Sequence, residues 1–104
     1  MNKFLKYYDI FFLVLVNPDG YQFSLLEDFF WRKNLRNFSR EFYDECFGVD
    51  LNRNYDYHWM KIGASNSMCT DIYAGAYPAS EPEISAIQNF ILSKKSHWLS
   101  FVSL

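Results

Sequence analysis

The sequence predicts an α/β fold, because two short apolar runs are separated by a long connection and one helical pattern. The first run covers residues 10–16 and the second covers residues 98–104. Both are short, continuous and rich in β-branched or aromatic side chains, as in buried strands. The helical pattern covers residues 80–96. An order of strand, connection, helix and strand is typical of layered α/β domains.

The first apolar run also has features of a signal peptide. Lys3 and Lys6 precede it, which gives the basic start that such peptides share. However, Asp9 adjoins the run, no small-x-small cleavage pattern follows, and the turn sequence NPDG occupies residues 17–20. These three observations favour a strand at residues 10–16. The run is too short to cross a membrane.

The long connection has two parts of different composition. Residues 21–45 mix aromatic and charged side chains without a clean period, which predicts an irregular segment with one short helix. Residues 46–80 are rich in Gly, Asn, Asp and Ser. This composition predicts a region dominated by loops, with a short strand near residues 49–51.

The helix predicted over residues 80–96 has a clear start signal. Ser80 can cap the first turn, and Glu83 stands three positions on, which completes a capping box. Pro82 is tolerated in a first turn, because its missing N–H has no intrahelical partner there. The next positions give an apolar face that we expect to be core, followed by a basic end. These positions are Ile84, Ile87, Phe90, Ile91, Lys94 and Lys95.

The composition excludes several classes of protein. The 104 residues suit one small domain, and half of them are hydrophobic, which excludes a disordered chain. The net charge is −2, and acidic and basic residues are mixed along the chain. We therefore expect no nucleic-acid partner.

The two cysteines, Cys46 and Cys69, are either bridged or free on this evidence. Neither stands in a CxxC pair, so a structural zinc site is not expected. A bridge would contribute about 3 kcal/mol by the chain-entropy estimate and would indicate an oxidising compartment.

Five short stretches, in order along the chain, resemble the zinc metallocarboxypeptidases of the carboxypeptidase A/B family. They are residues 16–21 (VNPDGY), residues 31–34 (WRKN), residues 46–54 (CFGVDLNRN), residues 63–65 (GAS) with Cys69, and Tyr73 and Gly75 with residues 80–83 (SEPE). The resemblance implies a partial carboxypeptidase fold: a mixed β-sheet with flanking helices and a long loop region stapled by a Cys46–Cys69 disulfide. One departure is Trp59-Met60, where the family commonly has Trp-Gly.

The resemblance also implies roles for individual residues. Asn52 and Arg53 match the pair that binds the free carboxylate of the substrate, and a guanidinium suits a carboxylate because it offers two parallel hydrogen bonds. Arg32 matches the catalytic arginine that stabilises the oxyanion. Asp50 matches a carboxylate that orients a zinc-ligating histidine. Without the motif, a salt bridge or a cation–π contact would be the default interpretation of Arg32.

The zinc site of the family requires a His-x-x-Glu motif, a distant third histidine, a glutamate as general base and a tyrosine. The resemblance places all of these outside the 104 residues, and neither His58 nor His97 begins a His-x-x-Glu motif. We therefore expect residues 1–104 to be a partial peptidase domain missing both ends. It would be inactive alone and would bind no zinc tightly, although zinc serves the parent family.

The predicted function at the family level is hydrolysis of C-terminal residues from peptides. The expected partners are peptide or protein C-termini, with no membrane, and the expected location is extracellular by resemblance. The alternative is a noncatalytic module, either one that binds peptide carboxylates or a purely structural, aromatic-rich secreted domain.

Overall fold

The structure is a computed structural model that describes residues 3–37, 46–94 and 97–103. Its α-helices are α1 (Pro18–Leu26) and α2 (Pro82–Ser93). Two 3-10 turns cover Phe4–Lys6 and Leu51–Arg53. The predictions for residues 38–45, Lys95 and Leu104 lie outside the described residues. No helix in the described part of the chain is long and apolar enough to span a membrane.

The predicted strands do not form within the described residues. Residues 10–16, 49–51 and 98–103 lack a ladder to a neighbouring strand, and the pairing that is present is an isolated parallel bridge between Ser65 and Tyr73. A strand needs a paired neighbour for its backbone groups, and a short apolar run cannot supply one by itself. The strand predictions are therefore not confirmed in this structure, whereas the loop-dominated character of residues 46–80 is confirmed.

The NPDG sequence begins helix α1 instead of a free turn. Asn17 is the N-cap residue, and its Oδ1 accepts a hydrogen bond from the Gly20 backbone N–H at 3.0 Å. Pro18 occupies the first turn, where its fixed φ suits the helix. Asn17 Nδ2 also donates to the Lys33 carbonyl at 3.0 Å. Position 20 requires glycine, because the Cβ of any other residue would collide with the Lys33 carbonyl oxygen.

Helix α2 confirms the predicted helix but corrects its start. It begins at Pro82 after the N-cap residue Glu81, which makes no side-chain cap bond. The predicted capping box is wrong because the Ser80 hydroxyl donates to Glu81 Oε1 at 2.7 Å instead of capping the helix. Of the predicted apolar face only Ile84 is fully buried, and Phe90 is exposed.

Asn54 joins the 3-10 turn to the start of α2. Its Nδ2 donates to the Ala74 carbonyl at 2.8 Å and to Ser80 Oγ at 2.9 Å. Its Oδ1 accepts from the Glu81 backbone N–H at 3.1 Å. The side chain is fully buried, so these bonds satisfy an amide that would otherwise be costly to bury. The apolar residues of this small core are Val49, Leu51, Tyr73, Ala74 and Ile84.

The loop region is stapled by a disulfide between Cys46 and Cys69, as the resemblance implies. Lys33 supports the same part of the loop, since its Nζ donates to the Met68 carbonyl at 2.8 Å. On the other side of the bridge, Phe47 stacks on Trp31 with ring centroids 4.5 Å apart. The residues next to the two cysteines in sequence therefore tie the WRKN stretch to the loop.

An open apolar groove lies between α2 and the two extended runs. Its volume is about 370 Å³. The runs themselves expose large apolar side chains, including Phe12 at 83% and Val14 at 93%. An apolar surface of this kind marks a contact with further protein more often than a free face. The residues that line the groove are Phe11, Phe12, Leu13, Ala86, Ile87, Phe90, Ile91, Trp98 and Phe101.

We expect Ala79→Gly to stabilise the protein by about 1 kcal/mol. Ala79 has a φ of 53°, in the left-handed region that glycine adopts without a steric penalty. Ala76→Gly is the matched control, because Ala76 is exposed in the same loop and is not among the residues with positive φ. In urea unfolding, the free energy of unfolding should rise for Ala79→Gly and fall for Ala76→Gly. Equal destabilisation by both would contradict the assigned strain.

Candidate functional site

The residues predicted for substrate binding converge on Asp50. The Asp50 side chain is 2% exposed, and its Oδ2 accepts from Arg32 Nη2 at 2.8 Å and from Arg32 Nε at 3.1 Å. Arg53 Nε lies 4.0 Å from the same oxygen. Asp50 Oδ1 accepts from the Asn52 backbone N–H at 3.1 Å. One buried carboxylate therefore holds both arginines and the turn that carries Asn52.

The turn Leu51–Arg53 sets the direction of the side chains of Asn52 and Arg53. Asp50 is its N-cap residue, and Leu51 is buried beneath it. Arg53 is fixed at two nitrogens: Nε donates to the Gly63 carbonyl at 2.8 Å, and Nη1 donates to the Asn52 carbonyl at 3.2 Å. Among the described residues, no group accepts a hydrogen bond from Arg53 Nη2.

One of the two polar atoms of the Asn52 side chain is also hydrogen-bonded within the chain. Its Oδ1 accepts from the Ser103 hydroxyl at 3.1 Å, so the end of the described chain passes beside the turn. In the described ranges its Nδ2 has no acceptor. Asn52 Nδ2 and Arg53 Nη2 are therefore two donors, on neighbouring residues, that remain available to an anionic ligand.

A cavity of about 180 Å³ opens beside these two residues. Its wall combines polar side chains with the rings of Tyr55, Tyr57 and Trp59, and Trp59 anchors one side because its Nε1 donates to the Ala74 carbonyl at 3.1 Å. Arg32 is not part of this wall and reaches the site through Asp50. The lining residues are Asn52, Arg53, Tyr55, Tyr57, His58, Trp59, Met60, Ile62 and Ala64.

The charge balance of the site favours an anion. Two guanidinium groups face one carboxylate, so Arg32, Arg53 and Asp50 together leave an excess of one positive charge. Arg53 is 34% exposed, which allows a ligand to reach it while Asp50 stays buried. A carboxylate bound between Arg53 and Asn52 would form charge-assisted hydrogen bonds.

The geometry bears on the roles predicted for Arg32 and Asp50. Arg32 forms the salt bridge that is the default interpretation of an arginine, although its Nη1 has no acceptor among the described residues. Asp50 uses both oxygens within the chain, through Arg32 and Asn52. The role of Asp50 toward a histidine stays a prediction.

The described residues do not fit a zinc ion by themselves. They contain no group of three or more His, Cys, Asp or Glu side chains that could hold a metal. His58 packs its ring against Tyr57 at 4.1 Å, and His97 is exposed. No step of a reaction is therefore assigned to a metal held by these residues.

Sequence reasoning missed the supporting network behind the site. Asn54 belongs to the NRNY stretch but is a buried structural residue, and Glu81 is a buried partner of Arg36. Lys33 belongs to WRKN and holds the loop at Met68. The available signal was a set of polar residues beside Gly and Pro in loops, which indicates turns but does not reveal the partners.

Met60 and His58 also lie in the cavity wall with φ of 59° and 54°. Met60 is the position where the sequence departs from the Trp-Gly of the resemblance, and its left-handed φ explains why glycine suits that position. The departure is therefore accommodated with backbone strain and leaves the loop path intact.

Burial raises the pKa of Tyr55 and Tyr73 above the usual 10.0, with Glu81 adding to the effect at Tyr73. Because the folded protein favours the neutral phenol, each such tyrosine contributes its full stabilisation below pH 10. This contribution is lost as pH rises through the pKa of the folded state. Burial lowers the pKa of Lys33, and this shift makes the protein more stable as pH rises. The effect of a tyrosine on stability is therefore measured as the difference between a variant and the unmodified protein.

We expect Tyr73→Phe to lose less stability than the unmodified protein between pH 9 and pH 11, because the variant removes one buried phenol that must ionise. Lys33 is common to both proteins and cancels in the difference. Urea unfolding across this range provides the measurement. Tyr57→Phe is the control, since Tyr57 is 84% exposed. Parallel stability curves for Tyr73→Phe and the unmodified protein would refute the assignment.

The family of the chain follows from comparison with known proteins. The profile of the family described as zinc carboxypeptidase matches residues 1–104. The chain belongs to the zinc carboxypeptidase family.

Individual relatives support the assignment. The chain is 41% identical over 101 residues to carboxypeptidase B2 of Bos taurus, covering 96% of this chain and 23% of that protein. It is 38% identical over 104 residues to carboxypeptidase O of Homo sapiens, covering 100% of this chain and 27% of that protein. The chain therefore spans about a quarter of the length of the curated relatives it matches.

Solved structures show the same fold. A carboxypeptidase A from Helicoverpa armigera matches with a TM-score of 0.67 and 42% identity, over 74% of this chain and 18% of that one. Bovine thrombin-activatable fibrinolysis inhibitor, in complex with tick carboxypeptidase inhibitor, matches with a TM-score of 0.65 and 46% identity. That match covers 75% of this chain and 26% of the other.

Proposed function

We propose that this chain is the carboxylate-binding part of a secreted zinc metallocarboxypeptidase that removes C-terminal residues from peptides and proteins. Asn52 and Arg53 bind the free carboxylate of the substrate, and Arg32 stabilises the oxyanion that develops at the scissile carbonyl. Membership in the zinc carboxypeptidase family supports the reaction class. The disulfide between Cys46 and Cys69 supports secretion, because such bonds persist in oxidising compartments.

The observation that carries this proposal is the pair of available donors on adjacent residues. Arg53 is held at Nε and Nη1 by backbone carbonyls, which fixes the plane of its guanidinium. Its Nη2 and the Nδ2 of Asn52 then offer a rigid, two-sided grip for one carboxylate. A guanidinium already held in place loses less rotational freedom when the ligand binds.

Arg32 would act at a different oxygen of the substrate. Asp50 holds its Nε and Nη2, so the guanidinium is oriented before the substrate arrives. Its Nη1 can donate to a carbonyl oxygen that gains negative charge in the transition state. Preorganised donors of this kind contribute about 3 kcal/mol to transition-state stabilisation. Zinc, when bound in such an enzyme, supplies an activated water.

We further propose that residues 1–104 are one part of a larger peptidase domain. The rest of that domain would supply the zinc ligands and the general base, complete a mixed β-sheet on the runs at residues 10–16 and 98–104, and provide the histidine that Asp50 orients. Two observations support this. The chain spans about a quarter of its relatives, and the apolar groove beside α2 is open to solvent.

The direct experiment uses the protein made from the complete coding region that contains these residues. We expect release of the C-terminal amino acid from a blocked peptide, and loss of this release after treatment with a metal chelator. Restoration by added zinc would support the reaction class. A pure, folded protein that retains one zinc ion and releases no amino acid from a panel of aliphatic, aromatic and basic C-termini would contradict the proposed function.

A further inference from the structure

We propose that Asn37 is a site of N-linked glycosylation. The chain offers one acceptor sequence, since Asn37 alone among its asparagines is followed two positions on by Ser or Thr. Phe38 stands between Asn37 and Ser39, and any residue except proline is accepted there. The acceptor pattern by itself is common, so the inference depends on where the structure places the asparagine.

Asn37 lies at the protein surface, at the end of a well-anchored segment. The preceding residue is fixed at two backbone atoms: the Arg36 carbonyl accepts from Gly48 N at 2.8 Å, and the Arg36 N–H donates to Asn34 Oδ1 at 3.3 Å. The Asn37 side chain is exposed, whereas Asn34 is 3% exposed. A glycan on Asn37 would therefore extend into solvent and leave the Asn34 network intact.

The compartment required for the modification is indicated independently. The disulfide between Cys46 and Cys69 indicates folding in an oxidising compartment, and the lumen of the endoplasmic reticulum, where N-glycans are attached, is one such compartment. This step rests on the covalent bond in the structure and does not depend on the proposed peptidase activity.

The chemistry is a group transfer with a lipid-linked oligosaccharide diphosphate as the donor. A new bond forms between Asn37 Nδ2 and the anomeric carbon of the first sugar. The bond from that carbon to the diphosphate oxygen breaks, and the lipid diphosphate leaves with the bonding electron pair. Nδ2 loses one proton to a base of the transferase, so no oxidant or reductant takes part.

The modification would add a bulky, hydrophilic group to the surface next to Arg36. The guanidinium of Arg36 ion-pairs with the buried Glu81 at 3.1 Å and also donates to the Ser80 carbonyl at 3.0 Å. These contacts use Arg36 and leave the acceptor nitrogen of Asn37 out, so the glycan and the salt bridge can coexist.

Secretion of the complete protein from a eukaryotic cell line tests the inference. We expect peptide N-glycosidase to increase its electrophoretic mobility. Treatment in heavy-oxygen water should convert Asn37 to isotope-labelled aspartate in the peptide mass spectrum. The Asn37→Gln and Ser39→Ala variants should lack the shift, and Ser39→Thr should keep it. Asn66→Gln is the matched control, because Asn66 is exposed but has Met68 two positions on.

The peptide spectrum of the unmodified protein decides the question even where a variant is poorly secreted. A secreted protein in which the peptide containing Asn37 carries unmodified asparagine throughout would overturn the inference. That result would leave the peptidase proposal unaffected, because the two rest on different residues.

Discussion

Replacing Glu81 with alanine should destabilise the protein by about 3 kcal/mol, because it removes a buried carboxylate that accepts from Arg36, Ser80 and Asn34. The Glu81 side chain is fully buried. It accepts from Arg36 Nη1 at 3.1 Å, from Ser80 Oγ at 2.7 Å and from Asn34 Nδ2 at 2.7 Å. The magnitude lies at the low end for a buried ion pair, since Arg36 is 40% exposed and water can solvate part of its charge.

Glu81→Gln separates charge from packing in this network. Glutamine keeps the volume and one acceptor oxygen, but its NH₂ group must face either Asn34 Nδ2 or the donors of Arg36 and Ser80, so we expect most of the loss of the alanine variant. The free energy of unfolding in urea provides the measurement.

Glu83→Ala is the control for Glu81. Glu83 lies in the first turn of α2 but meets Asn34 Nδ2 only at 3.4 Å, and its buried Oε2 has no partner among the described residues. The expected loss is about 1 kcal/mol or less. Equal losses for the Glu81 and Glu83 variants would show that the network does not hold the loop to the helix.

Replacing Arg53 with alanine should reduce kcat/KM on peptides with a free C-terminal carboxylate by about a hundredfold in the complete protein. The physical reason is the loss of one charge-assisted contact between guanidinium and carboxylate, worth about 2–3 kcal/mol in a partly exposed site. Arg53→Lys should recover only part of the loss, because an ammonium group cannot make both parallel hydrogen bonds.

Lys61→Ala is the matched control for Arg53, since it removes an exposed cation from the same loop without touching the cavity. We expect this variant to retain its activity. Steady-state kinetics with one peptide series provides both numbers. A decrease for Lys61→Ala as large as that for Arg53→Ala would indicate a general electrostatic effect and not a specific grip.

The sequence indicated four residues that the structure places together, but not the residues that support them. The motif resemblance selected Asn52, Arg53, Arg32 and Asp50, and the structure brings all four together around the Asp50 carboxylate. It could not select Asn54, because an asparagine that satisfies backbone groups of a distant loop has no local signature.

The fold was predicted in part, and the differences have two causes. Helix α2 was predicted correctly because its sequence has a strong local pattern. Its start was predicted two residues too early, because the Ser80 hydroxyl bonds to Glu81 and Asn54 instead of capping the helix. The runs at residues 10–16 and 98–104 were predicted as strands from composition alone. Strand formation depends on a paired neighbour at long range, which composition does not specify.

The most direct test of the carboxylate grip compares one blocked peptide in two forms, with a free C-terminal carboxylate and with a C-terminal amide, as ligands of the complete protein. We expect tight binding of the acid, much weaker binding of the amide, and loss of this discrimination in Arg53→Ala. The amide removes the negative charge but keeps the shape of the peptide. Equal affinity for the two forms in the unmodified protein would contradict the proposed role of Asn52 and Arg53.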